Sequence, residues 1–149
     1  MLSLDSDVIV GLLRGEEAEL RARFDQARLS ATPLGLSSIV LHELVTGAVA
    51  SRRPDRHLDA LAVVSESFEP LEFTGEDAIR AAQVRAELAK EGRPIGALDT
   101  LIAGQALARD LIVVTSNIRH FGRVAGLKLI DWRVGPDIMS SDAVAARLA

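Results

Sequence analysis

Short apolar runs alternate along this chain with longer stretches in which apolar residues recur every three or four positions. Leu2 to Leu4 reads as a short buried strand. Val8, Ile9, Leu12 and Leu13 then take helical spacing as far as Gly15, with Ser6 or Asp7 placed to cap that helix. Glu16 to Arg28 is charged, with Leu20, Phe24 and Ala27 at four- and three-residue intervals, the pattern of an amphipathic helix. Leu34 to Leu36 predicts a second strand. Ser37 or Ser38 then caps a helix whose apolar stripe is Val40, Leu41, Leu44, Val45 and Ala48, with Glu43 on its flank.

Arg52, Arg53, Pro54, Asp55 and Arg56 form a basic exposed turn that leads into a helix through Leu58, Leu61 and Ala62. Phe68 to Phe73 alternates as a strand. Thr74 and Asp77 have capping-box spacing and open a helix through Ile79, Ala82, Val84 and Leu88 to Gly92. Leu98, Leu101, Ile102, Ala106 and Leu107 make the next helical face, with Asp99 in its first turn. Leu111 to Val114 is a strand followed by the polar run Thr115, Ser116 and Asn117, and Leu127 to Ile130 is the last strand. Strands separated by helices throughout predict an α/β sandwich with a mainly parallel central sheet flanked by helices. Ligands of such sheets sit beyond the carboxyl ends of the strands. Asp5 and the Thr115 to Asn117 run both fall at that edge. After Trp132 the pattern weakens. Residues 133–149 read as a C-terminal extension, either a flexible tail or a short helix over Ser141 to Leu148.

Composition narrows the function. A chain of 149 residues with 48% hydrophobic content is long enough for one domain with a real core. Four Phe, one Trp and no Tyr leave little aromatic surface for stacking on bases, so a nucleic acid would be held mainly through its phosphates. The net charge of -4 and pI near 5.4 exclude a protein that coats nucleic acid by bulk electrostatics, so any basic character must be local. The absence of cysteine excludes disulfides, thiolate zinc sites and cysteine nucleophiles. The start of the chain is not that of a signal peptide, and no apolar run approaches the roughly 20 residues of a membrane span. The expectation is a soluble, cytoplasmic protein.

Asp5 ends an apolar strand, and a carboxylate in that position is costly to desolvate unless a cation, proton or hydrogen-bond donor meets it. With Asp99 and Glu43 it would supply the hard oxygen ligands that Mg²⁺ or Mn²⁺ prefers. Each acid also has a plain reading: Asp5 as a helix cap, Asp99 as a favourable charge at a helix N-terminus, Glu43 as a solvated helix residue. Thr115 and Asn117 serve either as ligands or as turn formers after a buried strand. Arg14, Arg52, Arg53, Arg119 and Arg123 are candidates for phosphate contacts, or an ordinary solvated surface. His42, His57 and His120 are too scattered for a zinc-ligand spacing.

Four ordered stretches change these odds: Leu4 to Ile9, Leu36 to Leu44, Ile95 to Ala103 and Val114 to Phe121. Together they resemble the PIN-domain family, and most closely its VapC branch, the ribonuclease toxins of bacterial toxin–antitoxin pairs. Arg123 to Leu127 and Trp132 extend the resemblance, which covers residues 1–132 as the nuclease domain. It implies a PIN-like α/β/α sandwich in which Asp5, Glu43 and Asp99 match the acidic metal-binding positions. The implied activity is Mg²⁺-dependent hydrolysis of RNA phosphodiester bonds, with Mn²⁺ as a substitute and transfer RNA among the targets. Asn117, Thr115 and Asp7 would assist the acids, and Arg119 and Arg14 would contact RNA phosphates. The implied partners are a VapB-like antitoxin, whose C-terminal segment crosses the acidic groove, and a second copy of the chain in a homodimer. Two departures stand out: Asn117 occupies a place where many members carry a fourth acid, and Asp7 a place usually held by Asn.

Two rivals remain open at this stage. Leu2 to Val8 and Val113 to Asn117 also resemble the first two motifs of haloacid-dehalogenase-like phosphatases, with Asp5 as nucleophile and Asp7 as acid and base. That scheme needs a later Lys and acidic pair, for which only Lys128 and the isolated Asp131 are available, and it leaves Glu43 and Asp99 unused. The third reading is a non-catalytic RNA- or protein-binding module with purely structural acids.

Overall fold

Very short apolar strands are stable only as parts of a larger sheet whose faces helices cover. The computed structural model describes residues 1–148. The strands β1 (Leu2–Leu4), β2 (Leu34–Ser37), β3 (Glu69–Leu71), β4 (Ile112–Val114), β5 (Lys128–Ile130) and β6 (Met139–Ser140) form one sheet in the order β3-β2-β1-β4-β5-β6. The first five are parallel and β6 is antiparallel to β5. The helices are α1 (Ser6–Arg14), α2 (Ala18–Leu29), α3 (Ser38–Val49), α4 (Pro54–Ser65), α5 (Gly75–Lys90), α6 (Ala97–Ala108), α7 (Ile118–Phe121) and α8 (Ser141–Leu148). Leu4, Val113, Val114 and Leu129 from the sheet, Val8 and Ile9 from α1, Leu20 and Phe24 from α2, Val40 from α3 and Ile102 from α6 make one continuous core. The predicted α/β class with a mainly parallel sheet is the observed one.

The order of strands creates the site. From β1 the chain moves outward to β2 and β3, then returns to place β4 on the other side of β1 and continues to β5. The crevice between β1 and β4 is therefore the switch point of the sheet, where open α/β folds bind ligands. Leu4 is in register with Val114, and the next amides continue the ladder: Asp5 N donates to the Val114 carbonyl at 2.9 Å, and Thr115 N to the Ile130 carbonyl at 3.0 Å.

Several local expectations shift in the structure. The cap of α1 is neither Ser6 nor Asp7 but Asp5, whose Oδ1 accepts from Ser6 N at 2.8 Å. Asp5 leaves β1 with its carboxylate beside the free amides of α1, so the residue that follows the strand serves as the cap. Ser37 caps α3, and Thr74 and Asp77 form the predicted capping box of α5. Leu41, placed in the apolar stripe by spacing, is exposed, as are Ile79 and Ala82 of α5. The buried face of α5 is Asp77, Ala81, Val84 and Leu88. Ala81 selects that face because it lies against Gly104 of α6, where any side chain would collide with it. The extension 133–149 supplies β6 and α8, with Val144 fully buried beside Gly122. Spacing alone did not reveal β6, because two residues carry no period.

Asp77 is buried against α6 by a bidentate contact: Arg109 Nε lies 3.0 Å from its Oδ1 and Nη2 2.5 Å from its Oδ2. Arg109 also donates to the Glu72 carbonyl. Burial by itself pushes the Asp77 carboxyl up, but the bonds from Arg109 and Thr74 outweigh it and hold it below the usual carboxylate range. The pair's stabilisation is thus present above the unfolded carboxyl pKa of about 4 and fades as pH falls through the lower native value. Arg109→Ala should cost about 2–3 kcal/mol near neutral pH by leaving a buried carboxylate uncompensated. Denaturant melts of both proteins should show that gap narrowing in acid.

Candidate active site

The register of β1 and β4 puts Asp5 and Thr115 side by side at the switch point. Asp5 is buried; its Oδ2 accepts from Thr115 Oγ1 at 2.7 Å, and Thr115 Oγ1 in turn accepts from Asn117 N at 2.9 Å. The turn after β4 therefore orients the strand-end carboxylate and is itself fixed by it. The Asp5 carboxyl is raised to about 6, chiefly by burial and then by the charges of Asp7 and Asp99, against the opposing bonds from Thr115 and Ser6.

Glu43 reaches the same region from the middle of α3. It is half-buried, and its Oε2 is buried without a hydrogen-bond partner. Its carboxyl is also raised, first by desolvation and then by the charge of Asp99, with Ser6 and His42 pulling the other way. Asp99, in the first turn of α6, faces α7. Its Oδ2 accepts from Asn117 Nδ2 at 3.2 Å, and His120 Nδ1 lies 3.0 Å from the same oxygen. Asp99 is thus the electrostatic link between two acids that came from different elements.

Asp7 is held differently. Its Oδ2 accepts from Ser116 N at 3.0 Å and from Arg133 Nη1 at 3.3 Å, while its Oδ1 is buried without a partner. Arg133 also pairs with Glu17, at 2.5 Å from Nε and 2.9 Å from Nη2, and donates to the Ser116 hydroxyl and the Asp7 carbonyl. One guanidinium thereby ties the start of α1, the start of α2 and the turn after β4 together. The sequence reading missed this residue. It lies just past Trp132, where no periodicity marks a side chain as buried or paired. His120 as the partner of Asp99 was equally invisible, its only signal being the three-residue offset from Asn117.

Of the predicted site residues, Asp5, Glu43, Asp99, Thr115, Asn117 and Asp7 gather at this edge through contacts or charge coupling. Arg119 lies in α7 beside His120. Arg14 is exposed in the last turn of α1, near enough to Glu17 to help lower that carboxyl below its usual value, behind the larger effect of Arg133. Among the described residues no group of three His, Asp or Glu side chains is placed to hold a metal ion as it stands. The donor chemistry nevertheless fits one: two carboxyls with raised pKa, one of them with an orphaned buried oxygen, both repelled by Asp99. A divalent cation would relieve each of those costs at once.

The raised Asp5 carboxyl destabilises the metal-free fold as pH rises from its unfolded value near 4 through about 6, since stability tied to a raised carboxyl is present below that window and lost above it. Asn caps helices as well as Asp does. Asp5→Asn should therefore melt above wild type in chelator at pH 7, by roughly 1–2 kcal/mol, and the difference should vanish near pH 4. Arg133→Gln should lose about 1–2 kcal/mol, discounted because its partners are partly exposed. The loss should shrink in an Asp7→Asn background, as a double-mutant cycle by chemical denaturation would read.

A family model described as PIN domain matches residues 2–127. The "tRNA(fMet)-specific endonuclease VapC" of Shigella flexneri is 38% identical over 129 residues, 87% of this chain and 96% of that protein. Among solved structures, DNA-bound VapBC from Salmonella typhimurium has a chain that aligns with a TM-score of 0.81 at 36% identity, covering 88% of this chain and 97% of that one. VapBC2 from Rickettsia felis, bound to a promoter DNA fragment, aligns with a TM-score of 0.82 at 26% identity, covering 88% and 98%.

Proposed function

We propose that this chain, which belongs to the PIN-domain family, is a divalent-metal-dependent endoribonuclease and the toxin of a VapBC-type pair. The observation that carries the reading is the pair of carboxyls Asp5 and Glu43, raised by burial and by the charge of Asp99, with neither in an ion pair with Lys or Arg among the described residues. The likeness to endonucleases and ribonucleases named VapC supports the reaction, and the likeness to VapBC complexes supports a VapB-like antitoxin as partner.

Asp5, Glu43 and Asp99 would hold the ion, Mg²⁺ with Mn²⁺ as a substitute. When bound, it lowers the pKa of attacking water and screens charge on the phosphoryl oxygens. Thr115 orients Asp5 through the 2.7 Å bond, and Asn117 with His120 fixes the carboxylate of Asp99. Asp7, occupied by Arg133 and Ser116 N, would anchor the start of α1 to the turn after β4 rather than meet substrate. Arg119 and Arg14 are assigned to RNA phosphates, and transfer RNA is the substrate class. Exposed Leu41 and Val49 on α3 and Val63 on α4, two helices that pack together, offer apolar surface to the antitoxin or to a second copy in a homodimer. Among the described residues no helix is long and apolar enough to cross a membrane.

With Mg²⁺ or Mn²⁺ the purified chain should cut RNA internally, and chelator should stop it. Asp5→Asn, Glu43→Gln or Asp99→Asn should lower the rate by at least about a hundredfold in a folded protein. Asp7→Asn should retain substantial cleavage, because its role is anchorage. Persistence of cutting in excess chelator, or full loss on Asp7→Asn with a covalent aspartyl-phosphate at Asp5, would replace the nuclease with the phosphatase scheme.

A further inference from the structure

Beside the acidic centre, the surface carries the opposite charge. Gly92 and Arg93, in the turn between α5 and α6, and Arg119 and Arg123, in and just after α7, line a polar cavity of about 480 Å³. The turn is possible because Gly92 takes a left-handed φ of 66°. Arg123 Nη1 donates to the Pro94 carbonyl at 2.9 Å, which joins the two walls and fixes one guanidinium at the rim. Arg93 has only a distant, half-exposed carboxylate neighbour, Glu91 at 3.9 Å. Among the described residues no carboxylate lies within ion-pairing distance of Arg119 or Arg123.

Guanidinium groups gathered on one concavity with a single distant carboxylate repel one another, and an anion bound between them removes that repulsion. Their planar forks match the paired oxygens of a phosphate or a carboxylate. The place of the cavity identifies its source. Arg119 adjoins His120, which lies 3.0 Å from Asp99, so the cavity flanks the acids. In a chain of net charge -4, a polyanion can approach three carboxylates only if local cations hold the strand nearby. The lining contains no aromatic side chain to stack on a base, so it would grip backbone and leave sequence unread.

We propose that the Arg93–Arg119–Arg123 cavity is a subsite for a backbone phosphate of the RNA strand, one that flanks the phosphodiester presented to the acids. The assignment rests on the ribonuclease reading and extends it to substrate positioning.

The test is binding of a labelled single-stranded RNA oligonucleotide in excess chelator, followed by fluorescence anisotropy from about 50 to 200 mM salt. Arg119→Gln is the cleanest probe, because its side chain makes no bond on which folding depends. Arg93→Gln and Arg123→Gln follow, with Lys128→Gln as control, since Lys128 pairs with Asp110 at the opposite ends of the strands. Each cavity variant should weaken binding roughly three- to tenfold at low salt and lower the slope of log Kd against log salt by about 0.7, while the control matches wild type. With metal present, the same variants should raise KM and leave kcat within about twofold, as loss of uniform binding requires.

Wild-type Kd and salt slope in an Arg93→Gln/Arg119→Gln double variant would overturn the subsite. So would inorganic phosphate binding that depends on these arginines while RNA binding does not, which would mark a small-anion site. Arg-dependent RNA binding by a chain that cuts no RNA with any divalent ion would remove the nuclease reading and keep the subsite. Cleavage with unchanged KM in the variants would do the reverse.

Discussion

The parallel pairing of β1 with β4 is the constraint on which the rest of the molecule depends. With Leu4 level with Val114, the residues that leave the two strands are Asp5 and Thr115, and the hydroxyl of one meets the carboxylate of the other at 2.7 Å. A slip of one residue would turn Thr115 away from Asp5, since successive strand side chains point to opposite faces. The same carboxylate caps α1, and the same hydroxyl holds the turn through Asn117 N. Strand register, helix initiation and site geometry are thus one arrangement, and none can be altered alone.

The acids of this chain fall into two physical kinds. Asp77 and Asp7 are answered by guanidinium groups, from Arg109 and Arg133, and those contacts clamp elements together: α5 to α6 in one case, and α1, α2 and the turn after β4 in the other. Asp5 and Glu43 are answered only by hydroxyl, amide and distant imidazole groups, and both carboxyls are raised. Fold stability is served by the first kind, whereas the second stores an electrostatic cost at the edge where ligands bind. The position of Asp7, two residues from Asp5, shows how closely the two kinds are interleaved. Without Arg133 the start of α1 would carry another unbalanced acid.

Charge is also separated across this edge. The acids gather near the carboxyl ends of β1 and β4, while Arg93, Arg119 and Arg123 line a concavity between the α5–α6 turn and α7, whose His120 meets Asp99. A net charge of -4 conceals this division, because it averages over a surface on which only local fields act within the screening length of roughly 8–10 Å.

Periodicity determined the parallel α/β class, because alternating strand and helix periods admit few other packings, and the apolar runs of β1 and β4 marked them as buried strands. A carboxylate at the end of an apolar strand made Asp5 conspicuous, whereas Glu43 and Asp99 joined it as candidates through the resemblance of the ordered motifs to the PIN-domain family. Local order could not say which carboxylates would be neutralised. That depended on Arg133 and His120, whose distances to Asp7 and Asp99 are set by chain segments 126 and 21 residues away. Nor could helical spacing say that α5 would turn Ile79 to solvent, because the choice lay with Gly104 on a different helix. Sequence pattern records what each element needs locally, but the pairing of charges and the approach of one helix to another exist only once distant segments are packed together.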